Sequence, residues 1–462
     1  MRKRRSNFPK HVIEDLPVNS LRKNPRNPRQ HLQNQIDQLA KSIKKFGFIG
    51  AVVVDDELNI LSGHALVDAA GQLGMASIPT IRVRHLTQAE SRAFAIAVNK
   101  LAENASWDLA TLRDELQFLS NLDFDFDFSA LGFDTAEVDF LLDQPIEKTP
   151  SDDVFPEITP SQVPVTKAGD VWILGNSRLV CGNALDAKNY SRILGQDLAR
   201  AVISAPPYNV PINGHVAGRA RVKHREFAMA SGEMNRDTYI SFLASTFQLQ
   251  THFSLNGSLH YYFIDWRHIG ELQAAANEIY TEHKNTCVWA KTTAGMGSFY
   301  RSQHELVVVF KSGTAPHVNN IELGVYGRNR SNLWTYQGVN GFGRQRDSLL
   351  SLHPTVKPVA LIADVIKDCS RRGDLILDPF GGSGSAIIAA EKTGRRGALI
   401  EIDPLYCDVI VRRWQAYTGR PAICVSSGTS FDEYATQASR LRSIEPPALP
   451  DHTTDGDSTR GR

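Results

Sequence analysis

Apolar positions set the organisation of the chain. Ile36, Leu39, Ala40 and Ile43 fall at helical spacing, and Gly47 stops that helix. Residues 51–54 and 78–83 are short apolar runs that predict strands. A helix is expected over 65–73, opening after Gly63-His64, and Thr87 caps another through about Leu101. Together they predict a small α/β unit over residues 1–107. Residues 108–144 read as a helical bridge, interrupted by the acidic-aromatic run 123–128. Prolines 145, 150, 156, 160 and 164 then punctuate a Ser-, Thr- and acid-rich stretch, which predicts a linker over 145–166 that buries little apolar surface.

From residue 167 to 435 short apolar runs alternate with helical patterns. Strands are expected at 201–203, 259–264, 286–289, 306–310, 375–377 and 398–400, with helices between them. Such alternation predicts a mostly parallel sheet covered by helices on both faces. Residues 436–462, rich in Pro, Asp and Thr, read as a disordered tail. The fold class is therefore α/β, in two unequal units.

Composition narrows the function. The net charge of +1 means that any nucleic-acid contact comes from local basic patches and not from an overall field. The five cysteines are scattered, with no Cys-x-x-Cys pair, which argues against a disulfide framework and predicts no metal site. No apolar run approaches membrane-spanning length and no signal-peptide pattern is evident, so a cytoplasmic protein without membrane contact is expected. The opening Met1-Arg2-Lys3-Arg4-Arg5 reads as a solvated arm.

Two loops carry candidate chemistry. The apolar run 201–203 leads through Ser204 into Ala205-Pro206-Pro207-Tyr208. Each proline fixes φ and lacks an N–H, so the loop is stiff and its carbonyls keep one direction. The residue before Pro206 is pushed to extended geometry, which aims its side chain at the same pocket. That side chain is a methyl group. The second loop, Asp378-Pro379-Phe380-Gly381-Gly382-Ser383-Gly384, follows an apolar strand and opens a helix. Its glycines let a ligand approach the backbone at a helix N-terminus. Glu401 lies about twenty residues on, where a ribose diol is held in such folds. No Gly-Lys-Ser/Thr follows, which argues against a phosphate loop. Asp378 and Phe380 suit an uncharged linkage better than a pyrophosphate.

His353-Pro354-Thr355-Val356-Lys357-Pro358 lies upstream of the glycine loop, and Leu179-Val180-Cys181-Gly182-Asn183-Ala184-Leu185 lies before the proline loop. This set, in this order, resembles the β-type DNA amino-methyltransferases over residues 165–431. The resemblance implies a Rossmann-like S-adenosylmethionine-dependent methyltransferase fold with circularly permuted motif order. Asp378, Pro379, Phe380, Gly381, Gly382, Ser383 and Gly384 would line the cofactor's methionine and ribose, and Glu401 would hold the ribose hydroxyls. Asn183, where the family usually carries aspartate, would sit by the adenine ring, and His353, Thr355 and Lys357 would border the site. Trp289, Lys291 and the run from Tyr300 to Glu305 resemble strands flanking the catalytic pocket.

In the family, an oxygen at the position of Ala205 and the carbonyl of the first proline, here Pro206, accept hydrogen bonds from the target amine. Tyr208 would stack on a base flipped from the duplex, with Pro207 completing the loop. Losing one preorganised acceptor costs about a hundred- to a thousandfold in rate. The resemblance therefore implies methyl transfer to the exocyclic amine of adenine in DNA, with activity low or absent because of Ala205. The alternatives are a catalytically silent DNA- and cofactor-binding regulator, or a protein glutamine methyltransferase. The last is disfavoured by motif order. Arg219, Arg221, Lys223, His224 and Arg225 form a basic stretch suited to phosphates, and residues 311–350 would recognise the target. The expected partner is double-stranded DNA, with a homodimer open to the family. Residues 12–107 resemble the ParB-like fold. There the loop at Gly63-His64 is normally followed by an arginine that holds nucleotide phosphates, and here Leu66 takes the place, which points to docking or DNA positioning.

Overall fold

The computed structural model describes residues 11–122, 127–143, 152–153, 163–210, 232–294, 299–321, 329–338 and 356–444. These fall into two compact units. The N-terminal unit contains β1 (Ile13–Pro17), α1 (Gln33–Phe46), β2 (Val52–Val54), β3 (Ile60–Ser62), α2 (His64–Gln72), β4 (Ser77–Arg82) and α3 (Gln88–Glu103). Its sheet runs β1-β4-β2-β3, with only β2 and β4 parallel. Val52, Val54, Ile60, Val67 and Ile78 form the core, and Leu66 packs against it. Thr87 and Glu90 build a reciprocal capping box at the start of α3. Helices α4 (Leu109–Leu122) and α5 (Thr135–Leu142) share a second small core of Leu116, Phe128, Phe133, Val138 and Leu141. Phe128, from the acidic-aromatic run expected to interrupt the bridge, is thus buried.

The larger unit is built on one sheet of ten strands. In chain order its elements are β5 (Val171–Leu174), β6 (Ser177–Cys181), α6 (Ala187–Leu194), β7 (Ala199–Ser204), α7 (Arg236–His252), β8 (Ser254–Ile264), α8 (Ile269–Ala276), β9 (Glu282–Lys291), β10 (His304–Ser312) and β11 (Leu333–Tyr336). Then come α9 (Val359–Cys369), β12 (Leu375–Asp378), α10 (Ser385–Lys392), β13 (Arg396–Glu401), α11 (Pro404–Thr418), β14 (Ile423–Cys424) and α12 (Phe431–Ile444). The strand order is β11-β9-β10-β8-β7-β12-β13-β6-β5-β14. The central set β8-β7-β12-β13-β6 is parallel. Parallel strands are covered on both faces, which explains the unbroken apolar runs of β7 and β12. On one face Ala201, Ile203, Ile376 and Leu399 meet α9, α10 and α11. On the other, Val202, Leu377, Ala398 and Ile400 meet α6, α7 and α8.

Three stretches hold structure that the sequence patterns do not signal. Residues 333–336, expected within a target-recognition region, form β11 and pair in parallel with β9. Trp334 is buried there, and that burial outweighs the polar residues around it. The linker's last residues are fixed: Val165 N–H and Thr166 N–H donate to Asp408 at 2.7 and 2.9 Å, and the Thr166 hydroxyl does so at 2.6 Å. Trp172 in turn donates its indole N–H to Thr166. The tail's first residues, 436–444, are helical, because Ser430 and Glu433 cap α12 and Phe431 anchors it in the core.

Asp408 is buried and serves three donors from the segment that leads into the sheet. Asp408→Ala strands those donors, and a loss of about 2–4 kcal/mol in unfolding free energy is expected. Denaturant titration followed by tryptophan fluorescence checks this; a loss below about 1 kcal/mol would mean that water replaces the carboxylate.

Candidate active site

The parallel strands β7, β12, β13 and β6 end at one edge of the sheet, and the sequence-predicted loops follow these ends. Open α/β sheets bind their ligands at this carboxyl edge. At the end of β12, Asp378 accepts the Ser204 hydroxyl at 2.8 Å and the Phe380 N–H at 3.1 Å. The glycine loop then turns into α10. Gly384 lies at φ +80°, and a Cβ there would stand 2.9 Å from Ile410, so only glycine fits the turn. Glu401, at the end of β13, accepts the N–H of Gly382 at 2.7 Å and of Asp403 at 2.8 Å. The buried Arg413 donates to the Ser383 carbonyl at 2.5 Å and steadies the loop from below. Asn183 follows β6, whose Cys181 is level with Glu401 on β13. Its side-chain oxygen accepts the Leu185 N–H at 2.9 Å, forming a local turn.

The proline loop leaves β7 beside the glycine loop. Ala205 packs against the core on the side of α9, and Tyr208 against the core on the opposite face. Tyr239 of α7 donates its hydroxyl to the Pro207 carbonyl at 2.8 Å. Asn209 adopts φ +53°, a conformation asparagine tolerates better than most residues. Its side chain accepts from Gly232 and Met234 and donates to the Met234 carbonyl.

Two residues from distant parts of the chain, Glu305 and Lys357, meet at the Tyr208 hydroxyl. The hydroxyl donates to Glu305 Oε1 at 2.5 Å, and Lys357 Nζ donates to the Tyr208 hydroxyl at 2.9 Å. Lys357 also pairs with Glu305 at 2.7 Å, and Lys291 with the other carboxylate oxygen at 3.0 Å. The structure therefore places Lys357 against the proline loop, with Asp378 as a further carboxylate in electrostatic range.

Burial acts on every carboxylate here, but the partners decide the outcome. Burial opposes ionisation of Glu305, and Lys357 and Lys291 overcome it, holding the pKa at about 2. At Asp378 burial outweighs the Ser204 hydroxyl, the Phe380 N–H and Lys357, and the pKa rises to about 6. At Glu401 burial outweighs two backbone N–H groups, and the pKa rises to about 7. Burial pushes the Lys357 ammonium down against the pull of Glu305, and raises the Tyr208 phenol well above its ordinary value.

His353, Thr355, Arg219, Arg221, Lys223, His224 and Arg225 lie outside the described residues. In the N-terminal unit Gly63 takes φ +99° ahead of α2, and the His64 ring accepts the Asn24 N–H at 3.4 Å. Burial lowers the His64 pKa. No described helix is long and apolar enough to cross a membrane, and all five cysteines are buried, with no disulfide between them.

Comparison with known proteins finds three matching regions. A DNA methylase family model matches residues 199–412, a ParB N-terminal domain model matches residues 2–100, and a ParB-methyltransferase HTH domain model matches residues 110–168. The third match spans the stretch read from sequence as bridge and linker. Type II methyltransferase M.HpaI of Haemophilus parainfluenzae is 24% identical over 258 residues, covering 52% of this chain and 74% of that protein. The ParB-like nuclease domain-containing protein YnaK of Escherichia coli (strain K12) is 37% identical over 76 residues, covering 16% of this chain and 87% of that one. Among solved structures, the M1.HpyAVI–SAM complex aligns with a TM-score of 0.38 at 18% identity, covering 51% of this chain and 97% of that one. Residues 199–412 belong to the DNA methylase family, whose cofactor is S-adenosylmethionine, and residues 2–100 are a ParB N-terminal domain.

Proposed function

We propose that the larger unit binds S-adenosylmethionine along Asp378–Gly384 and Glu401, and receives at the Ala205–Tyr208 loop an adenine flipped out of double-stranded DNA. Its reaction is methylation of the exocyclic amine, reduced to a low level or to none by Ala205. The observation that carries this reading is the Ser204–Asp378 hydrogen bond, which sets the proline loop beside the glycine loop.

The residues fit the cofactor. Asp378 and Glu401 are buried carboxylates whose ionisation is only partly compensated by the protein. That electrostatic state suits a ligand bearing positive charge and hydroxyl donors. Bound S-adenosylmethionine supplies a methyl group on a sulfonium. Glu401 would accept the ribose hydroxyls, and Asn183 would meet the adenine edge. His353 and Thr355 are assigned to the border of the site by the resemblance alone. Lys357 would border it from the side of Tyr208, and the stretch from Arg219 to Arg225 would contact phosphates.

Toward the base, Tyr208 offers a ring for stacking and Pro206 a carbonyl that accepts from the amine. A second acceptor is needed to draw the amine nitrogen toward tetrahedral geometry and aim its lone pair. Ala205 has none, and the Ser204 hydroxyl donates to Asp378. An intact frame around a missing acceptor favours one second reading, a regulator that binds cofactor and DNA without methylating.

Transfer of labelled methyl groups to unmethylated duplex DNA separates the two readings. Ala205→Asp is expected to gain about a hundred- to a thousandfold over the chain as it stands. Equal rates in both would remove the case that position 205 supplies an essential acceptor. Hydrolysis of the labelled DNA should return methylated adenine, and methylated cytosine would overturn the choice of base.

Cofactor affinity should also depend on pH. The Glu401 pKa is raised from 4.5 in the fold, so stability falls as pH climbs from there toward about 7, and the folded carboxyl itself ionises through about 7. A ligand that needs the ionised form binds more tightly over the same range. Isothermal titration is expected to show affinity falling about tenfold from pH 8 to pH 6, and Glu401→Gln should flatten the slope while weakening binding throughout. A slope unchanged in Glu401→Gln would remove Glu401 from the ribose site.

A further inference from the structure

The backbone of the proline loop is already held without Glu305. Ser204 is tied to Asp378, the Pro207 carbonyl to Tyr239, and Asn209 to Gly232 and Met234. What Glu305 holds is the tip of the Tyr208 ring. Its Oε1 accepts the hydrogen bond of the phenol O–H at 2.5 Å, while Lys357 donates to the same phenol oxygen at 2.9 Å. A phenol O–H lies near the ring plane, so one acceptor and one donor at that oxygen set both where the ring ends and how its plane is turned. Glu305 is itself fixed by Lys357 and Lys291, one at each carboxylate oxygen. Charge-assisted bonds of this kind are about twice as strong as neutral ones, and burial keeps water from competing. Glu305 is 6% exposed and Lys357 is 7% exposed.

We propose that Glu305 is a positioning residue that fixes the Tyr208 ring in its base-stacking orientation, with Lys357 and Lys291 holding the carboxylate. The inference rests on the reading that Tyr208 stacks on the flipped base. A phenylalanine at this position would supply the same stacking surface but would leave Glu305 and Lys357 without the phenol. The clamp makes ring orientation independent of residue 205, so the chain keeps its base-binding frame with alanine there.

The test is made in the full-length Ala205→Asp background, with labelled S-adenosylmethionine and unmethylated bacteriophage DNA as the probe. Tyr208→Phe keeps the ring and removes the tether; Glu305→Ala removes the carboxylate. Each is expected to lower kcat about tenfold or more, with the cofactor Kd within about threefold of the background. The double variant should be no slower than the slower single one, because both changes break one link. Independent structural damage would instead multiply the two losses. If Glu305→Ala does not fold, Tyr208→Phe decides alone. Activity of Tyr208→Phe within twofold of the background, or multiplicative losses in the double variant, would overturn the clamp. An inactive Ala205→Asp background would overturn the underlying function, and the clamp with it.

Discussion

Parallel pairing of β7 with β12 is the constraint on which the site depends. Ala201 and Val202 pair with Ile376 and Leu377, so the two strands end within a residue of each other. Ser204, two residues past Val202, and Asp378, the residue after Leu377, then meet through one hydrogen bond. Two loops separated by about 170 residues of chain become neighbours because two buried apolar strands share a register. A one-residue slip would turn Ser204 to the other face and break the joint between the loops. The covering helices make that slip costly, since each strand is buried on both sides.

The same edge shows how partners, not burial, decide charge. Glu305, Asp378 and Glu401 are comparably buried, yet their pKa values run from about 2 through about 6 to about 7. Two lysines compensate Glu305, which therefore acts as a fixed structural anion. Asp378 and Glu401 have mainly hydroxyl and backbone donors, so their charge is left partly uncompensated. A protein gains nothing in stability from holding two carboxylates in that condition. Their cost is understandable where a ligand completes the compensation, and both lie on the glycine-loop side of the edge.

Much of this was legible along the chain because it is local. The glycine loop, the Thr87 cap and the strands that precede the loops are each encoded within about ten residues. The clamp at Tyr208 was only partly legible: Lys291 and Glu305, read as flanking the pocket, meet through the pairing of β9 with β10, whereas Lys357 reaches Glu305 from a later segment ahead of α9. The motif around Lys357 pointed to the cofactor's border, and the fold also brings its ammonium to the phenol. Tyr239 carried no signal, since a tyrosine early in an amphipathic helix reads as core. Asp408 is similar: an acidic residue within a helix reads as solvated until its three donors are seen. Strand β11 was hidden by the polar residues around Trp334.

Ala205 can now be placed more narrowly than as a broken signature. Its methyl packs against the core on the side of α9, while the loop's own supports lie elsewhere: on Asp378, Tyr239, Asn209 and Glu305. None of those supports uses the side chain at position 205. A carboxylate there would therefore be an addition to a standing frame and not a strut within it. Here the buried charges are in place, with Glu305 held at both oxygens and Asp378 held by Ser204. Costly buried charges around position 205 are the kind of arrangement that a bound ligand would compensate.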